Sequence, residues 1–299
     1  MRIGAHVSSD GGLANAIVRA VAIGAECAQF FISPPQAWRS PVHDEADVAA
    51  FLAKRAESGV APLFLHTIYL LNFASGDEAL RERSLRSLIT YLDWADRLGV
   101  AGVITHLGSA RDVGVQEAER LIAGALQRAL ATAHGDVPLL LETTAGPGAV
   151  FGSTFEELGA LLADLGRPPR LRICLDTAHV YASGLYDGTT AGLERSLAAL
   201  DATVGLERLT AIHLNDSKAA FNSRVDRHAN LGEGLMGAAG LRPFLEHPAL
   251  ADQPFILEVP GRNRSGPQKQ DLDVAKALAR GDGSRSPRRH GDQRGTNRR

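Results

Sequence analysis

Residues 171–179 read LRICLDTAH. A short, nearly continuous apolar run of this kind is what a parallel strand covered on both faces requires. The run closes on Asp176, and His179 follows three residues later. The same pattern recurs upstream at 2–6 (RIGAH), 27–31 (CAQFF), 61–66 (APLFLH), 102–106 (GVITH) and 138–142 (PLLLE), and downstream at 210–214 (TAIHL) and 254–258 (PFILE). Between these runs, apolar residues recur at three- and four-residue steps over 12–24, 44–58, 77–98, 115–134, 154–164, 190–204 and 237–246, the period of amphipathic helices. Doubly wound sheets also alternate strand and helix, but eight strands is the barrel count. The sequence therefore predicts an α/β chain of the (β/α)8 TIM-barrel class. Barrels commonly form one domain of about 250 residues, so the reading places a single domain over 1–279 of the 299 residues. Residues 280–299 hold seven Arg and two Asp among Gly and Ser, with no apolar segment to bury, and are expected to be a disordered tail.

The chemistry lies in how the strands end. The third run ends in His66, the fourth in His106, the fifth in Glu142 and the sixth in Asp176, with His179 beyond it. The seventh carries His213 and is followed by Asp226 and His228; the eighth ends in Glu258. In a barrel these strand ends lie on one face, where active sites form. Singly, each residue has an ordinary explanation: a packed histidine, or an acid capping a helix. Jointly they do not, because carboxylates gathered without partners resist burial and joint ionisation. Divalent cations remove that cost. Five imidazoles and four carboxylates with no cysteine suit a borderline ion, either zinc or manganese or iron in its place. Catalytic zinc commonly takes three protein ligands plus water, so nine ligands serve three ions, with Glu142 and Glu258 expected to be catalytically essential.

Charge fits this reading. The chain carries −2 overall, but the tail contributes +5, leaving −7 on the body. Such a body holds a polyanion only if metal ions reverse the local field. The two cysteines, Cys27 and Cys174, sit in strand-like runs and read as buried thiols of a reducing compartment. No apolar run approaches the length of a membrane span, and residues 1–12 (MRIGAHVSSDGG) lack the apolar stretch of a secretory signal. A cytoplasmic protein is expected, nucleoid-associated if prokaryotic, with no membrane partner and no feature that demands more than a monomer.

The motifs together narrow the function. IGAHVSSDGGLANAI (3–17), LHTIYLLNFAS (65–75), THLGS (105–109), LLLETTAGPG (139–148), CLDTAHVYASG (174–184), HLNDSKAAFNSRVDRHANLGEG (213–234) and FILEVPG (255–261) resemble the endonuclease IV (deoxyribonuclease IV) family of abasic-site endonucleases over about residues 2–279. The resemblance implies that His66, His106 and Glu142 hold a first zinc, that Glu142 bridges to a second held also by Asp176, His213 and Glu258, and that His179, Asp226 and His228 hold a third. It implies base-excision repair: hydrolysis of the phosphodiester 5′ to an abasic site in double-stranded DNA, leaving a 3′-hydroxyl and a 5′-deoxyribose phosphate, with related cleaning of 3′ ends as a further activity. An abasic nucleotide stacks weakly and is cheaply extruded into such a pocket.

One departure concerns the loop after the second strand. Where the family reads NPRQW or NPRGW, this chain reads SPPQAWRS (33–40), with Gln36 at the place of an inserted Arg and Trp38 retained. Tyr69 and Leu70 match the family's second DNA-inserting segment. Lys218 and Arg227 are expected phosphate contacts, by position. His6 is expected to orient a ligand from behind and Asp216 to hold either a ligand or its loop. His43, His134 and His247 are expected to be packing or surface residues. Related barrels with one or two ions isomerise or epimerise small sugars, which is the rival reading; nine ligands exceed what that chemistry needs.

Overall fold

The computed structural model describes residues 1–281, so the expected tail lies outside the described residues apart from Arg280 and Gly281. Eight parallel strands close a barrel: β1 (Arg2–His6), β2 (Ala28–Phe30), β3 (Leu63–His66), β4 (Gly102–Thr105), β5 (Leu139–Glu142), β6 (Leu171–Asp176), β7 (Leu209–His213) and, as the eighth, β10 (Pro254–Leu257), which pairs with β1 and β7. The extra strands β8 (Asp216–Ser217) and β9 (His228–Ala229) form a small antiparallel hairpin above the barrel. Helices α1 (Ala14–Ala22), α2 (Glu45–Ser58), α3 (Glu78–Leu98), α4 (Val115–Thr132), α5 (Phe155–Asp164), α6 (Thr177–Ala182), α7 (Thr190–Thr203), α8 (Gly237–Glu246) and α9 (Lys269–Ala279) follow the strands.

Local chemistry sets the helix ends. Asp44 and Asp77 accept backbone N–H groups at the starts of α2 and α3, and Gly59 and Gly99 close them in the left-handed conformation. Two helices lie outside the expected set. Helix α6 has six residues, too few for a period to show, and is nucleated by Asp176 accepting from His179 N at 2.8 Å. Helix α9 follows a reciprocal cap between Gln268 and Asp271.

Two separate cores explain where the site sits. The larger lies between barrel and helices and takes the outward residues, such as Leu63, Leu65, Leu139 and Leu141. The smaller fills the barrel interior with Cys27, Phe64, Ile104, Leu140, Cys174, Ala211 and Ile256. Strand side chains alternate, so the residue two positions after each interior residue also faces inward, one layer higher. Those residues are Gln29, His66, His106, Glu142, Asp176, His213 and Glu258. On β1 the lower position is Gly4, where an added Cβ would stand 1.7 Å from the Cys27 carbonyl oxygen, and the upper one is His6. Every barrel strand thus delivers one polar side chain to a single layer resting on an apolar plug. Both thiols lie in or under that plug, and burial raises Cys27 to about 12 and Cys174 to about 11, which keeps them protonated.

Candidate metal centre

Glu142 stands at the middle of the polar layer, fully buried. Its Oε2 lies 3.1 Å from His66 Nε2 and 3.4 Å from His106 Nε2. Its Oε1 lies 3.2 Å from His213 Nδ1 and 3.3 Å from His179 Nδ1. His213 Nδ1 is also 3.1 Å from Glu258 Oε2 and 3.8 Å from Asp176 Oδ2. Three groups bring their ligand atoms within 4.8 Å of one another: His66, His106 and Glu142; Glu142, Asp176, His213 and Glu258; and Asp176, His179 and His228. The first two share Glu142 and the last two share Asp176.

The outer hydrogen bonds fix which imidazole nitrogen faces inward. His66 Nδ1 donates to the Thr67 carbonyl at 2.7 Å, and His179 Nδ1 to the Thr143 carbonyl at 2.8 Å. A carbonyl only accepts, so both Nδ1 atoms carry protons and both Nε2 atoms keep lone pairs. In His213 the roles reverse: Nε2 donates to Gln29 Oε1 at 2.8 Å, and Nδ1 turns its lone pair toward three carboxylates. Lone pairs aimed at carboxylate oxygens require a cation between them, either a proton or a metal ion. Nε2 of His179 and of His228 are buried with no hydrogen-bond partner. Orphaned imidazole nitrogens beside carboxylates are the donor set of zinc, so the residues present fit the ions expected from the sequence.

In the metal-free chain, protons fill that role. Burial disfavours a charged ring at His213 and His179. The surrounding groups, Cys174 with Glu258 and Glu142 for His213 and Asp176 with Asp226 and Glu142 for His179, outweigh it and raise both well above the ordinary histidine value. Burial likewise works against the charged forms of Glu142 and Glu258, yet the neighbouring histidines hold both well below the carboxylate range. His6 and His106, where burial dominates, are lowered.

Asp226 sits differently from the other eight. It is 47% exposed at the rim and belongs to none of the three tight groups. Its carboxylate oxygens still reach 3.2 Å from His179 Nε2 and 3.5 Å from His228 Nε2. Burial pushes its carboxyl up, but the close approach of His179 at 3.2 Å, charged when protonated, brings it down to about 2. Asp176 takes the carboxylate place within the third group and serves two purposes, since Oδ1 caps α6 while Oδ2 faces the ligands. Asp176 thus plays the ordinary helix-capping part of an Asp after a strand while keeping an oxygen toward the ligand nitrogens.

Two buried amides, Gln29 and Asn215, join the layer without standing among the acids and imidazoles that close the strands. Gln29 Nε2 donates to Glu258 Oε1 at 2.7 Å and to His6 Nδ1 at 2.9 Å, while its Oε1 accepts from His213. Asn215 Nδ2 donates to Asp176 Oδ2 at 2.7 Å, and Asn215 Oδ1 accepts from Glu258 N at 2.8 Å. The signal for Gln29 was present in the alternation: it stands two residues after Cys27, as His66 stands two after Phe64. Asp216 does not reach the ligands. It accepts N–H groups from Ser217, Gly232, Gly234 and Gly237 at 2.8–3.0 Å and so holds its loop. An added Cβ at Gly234 would stand 2.3 Å from Asp216 Oδ1, so this loop closes only on glycine.

Of the expected DNA contacts, Tyr69 and Arg227 line the metal pocket, a cleft of about 330 Å³. Tyr69 is 53% exposed, and its ring stands edge-on to Phe31 and next to His66. Arg227 is exposed, and its carbonyl accepts from Lys218 N at 2.8 Å across the hairpin, which leaves the Lys218 side chain in solvent. Gln36 is exposed on its loop, and Leu70 is half-buried against the main core. Trp38 is half-buried too, with the Arg83 guanidinium 4.6 Å above its ring, outside the barrel mouth. A larger cleft of about 820 Å³ adjoins the metal pocket through Tyr69 and Glu258 and runs past His6, Pro34 and Pro35. His43 bonds to Asp47 and the Ile32 carbonyl on the wall of that larger cleft, while His134 is exposed beside Asp93 and His247 faces Glu194.

Comparison with known proteins follows the same line. A family profile described as "Xylose isomerase-like TIM barrel" matches residues 17–279. A protein of Natronomonas pharaonis named "Probable endonuclease 4" is 40% identical over 263 residues, covering 88% of this chain and 93% of that one. The crystal structure of endonuclease IV from Thermus thermophilus superposes with a TM-score of 0.83 at 38% identity, covering 94% of this chain and 100% of the other. A D-tagatose 3-epimerase-like protein superposes with a TM-score of 0.70 at 18% identity over 94% of this chain and 97% of its own, a likeness of fold alone.

Proposed function

This chain belongs to the endonuclease IV family, and from that membership and the geometry of its metal centre we infer that it hydrolyses the DNA backbone at abasic sites. The substrate we propose is double-stranded DNA, cut on the 5′ side of the lesion to leave a 3′-hydroxyl and a 5′-deoxyribose phosphate. The single observation that carries the reading is the set of three contiguous ligand groups joined through Glu142 and Asp176. A sugar isomerase needs one or two ions, and the group around His179 and His228 has no place in that chemistry.

Zinc ions bound there supply Lewis-acid stabilisation of phosphate charge and a water acidic enough to attack near neutral pH. Three dications more than neutralise the four carboxylates, so the mouth of an acidic body becomes attractive to a phosphodiester. The protein's own part is orientation. Glu142 sets the spacing of two ligand groups from one rigid strand end. The carbonyls of Thr67 and Thr143 and the amide of Gln29 hold three imidazoles in the binding tautomer. Asn215 holds Asp176 and the strand end at Glu258 together. In this reading Tyr69, exposed at the lip, fills the gap left by an extruded nucleotide, with Gln36 contributing from the loop that Pro35 ties to it. The pairing of Tyr69 N with the Pro35 carbonyl at 3.0 Å ties those two loops together.

We read the enzyme as one barrel domain over 1–279, active as a monomer in the cytoplasm; among the described residues no helix is long and apolar enough to cross a membrane. The test is incision of a duplex oligonucleotide bearing one abasic-site analogue, with product ends mapped and bound metal counted on the same sample. Cleavage 5′ to the lesion, about three zincs per chain and loss of activity on chelation are expected. A fully metallated protein that leaves the duplex intact overturns the reading and returns weight to sugar chemistry.

A further inference from the structure

Outside the barrel, between the loop after β2 and helix α3, lies a second cleft of about 320 Å³ whose walls include Trp38, Arg39, Ile68, Arg83, Arg86 and Ser87. We propose that this cleft is a phosphate-binding subsite, and that it grips the DNA backbone flanking the lesion through Arg39, Arg83 and Arg86. The proposal rests on DNA being the substrate, and it assigns a contact surface beyond the barrel mouth.

Charge pairing carries the argument. Neighbouring arginines have acceptors for their guanidinium groups: Arg97 pairs with Glu45, Arg120 with Glu117 and Arg128 with Glu82, while Arg81 and Arg55 donate to backbone carbonyls. Arg39, Arg83 and Arg86 are exposed, and among the described residues no carboxylate lies within 4.0 Å of any of them. Glu82, the acid adjacent to Arg83, is engaged by Arg128. Arg83 and Arg86 stand three apart on one face of α3, where like charges destabilise a helix slightly. An anion seated between them reverses that sign.

Preorganisation adds to charge. The Trp38 ring supports the Arg83 guanidinium at 4.6 Å, and the same guanidinium donates to the Trp38 carbonyl at 3.5 Å. A planar fork held on an aromatic face presents its remaining N–H groups in the geometry phosphate oxygens accept. Position completes the case. Ile68 walls the cleft only two residues beyond the ligand His66, and Tyr69 walls the metal pocket. The two clefts are therefore the two sides of one segment, and a strand crossing the metal pocket past Tyr69 is carried toward the arginines. Trp38 acts here as the platform for a phosphate contact; it does not enter the base stack.

The experiment is a salt series. Binding of the zinc-loaded protein to a duplex of about three helical turns with a central abasic analogue is measured from low to moderate salt, and log Kd is plotted against log salt. Each phosphate neutralised contributes about 0.9 to that slope. Arg39→Gln and Arg86→Gln should each lower the slope by about that amount and weaken binding several-fold at low salt, with three metals retained. The combined Arg39→Gln, Arg83→Gln, Arg86→Gln protein should lose correspondingly more. Lys54→Gln on α2, an exposed cation paired with Glu57, is the control and should leave the slope unchanged. An unchanged slope in the combined variant, or an equal drop in the control, overturns the subsite. Because Arg83 also supports Trp38, the two single variants decide the matter if the combined one misfolds. Incision by the unaltered protein is scored separately. A protein that shows the slope differences but cuts nothing retains the subsite and loses the assigned reaction.

Discussion

Replacing Gln29 by Leu should empty one metal position while leaving the fold intact. Leu has nearly the volume of Gln, so the barrel layer keeps its packing and no cavity forms. Three hydrogen bonds disappear: the one that fixes His213 in its binding tautomer, at 2.8 Å, and those from Nε2 to Glu258 at 2.7 Å and to His6 at 2.9 Å. Two of these partners belong to the group of Glu142, Asp176, His213 and Glu258. Loss of an outer partner typically weakens metal binding about 10- to 100-fold, or about 1.4–2.8 kcal/mol, and here both affected ligands serve the same ion. The His66–His106–Glu142 group takes its outer support from Thr67 and should be spared. Titration of the metal-free protein with zinc against a chromophoric chelator should show one of the three ions lost or bound more weakly by at least about tenfold. Gln29→Glu keeps an acceptor for His213 but sets a second carboxylate against Glu258, and should bind no better than Gln29→Leu. Three ions bound by Gln29→Leu with unaltered affinities would refute the reasoning, since the amide would then be packing and nothing more.

Three further outcomes follow from the same geometry. Glu258→Gln should damage the same metal position and cut turnover sharply with only modest loss of DNA affinity; near-normal turnover at saturating metal would sink that assignment. The metal-free protein should show a stability optimum set by protons. The raised His179 and His213 contribute fully below their ordinary value of 6.5 and are lost as pH climbs through their folded values. The depressed Glu142 and Glu258 contribute above 4.5 and are lost as pH falls through theirs. The lowered His6 and His106 subtract stability as pH falls below 6.5, so thermal midpoints with chelator present should peak toward the upper end of the window between about pH 4.5 and 6.5 and fall on the alkaline side. The zinc-loaded protein should instead gain on going from pH 6 to 8, because metal competes with protons for the same nitrogens. Parallel pH profiles for the two forms contradict this. Asp216→Ala strips the acceptor from four backbone N–H groups in the 217–237 loop and should cost at least about 2 kcal/mol in denaturant unfolding, with the ligand groups on the barrel strands still able to bind metal.

Strand ends were legible because a parallel barrel imposes two independent patterns, a continuous apolar run and a polar residue where the run stops. Those two patterns single out His66, His106, Glu142, Asp176, His213 and Glu258 from the sequence alone. Gln29 escaped because its strand has only three residues and Phe30 and Phe31 continue the apolar run past it. Helix α6 escaped because six residues carry no period, and its start is dictated by a cap whose other oxygen serves the metal centre.

The order of residues along the chain was enough to favour a barrel with its acids and imidazoles on one face, while closure of the eight strands is a property of the fold. Alternation and run length are local properties, and one-sided burial of the strand ends follows from them. Which residues share an ion, and which nitrogen each imidazole offers, could be decided only in three dimensions. Grouping depends on the stagger between neighbouring strands, which brings Asp176 opposite His213 and Glu142 opposite Cys174. Tautomers depend on carbonyls and amides from elsewhere in the chain, Thr143 for His179 and Gln29 for His213. The unpaired arginines of the outer cleft are of the same kind: in sequence they are ordinary surface cations, and only folding shows that their carboxylate neighbours are engaged elsewhere.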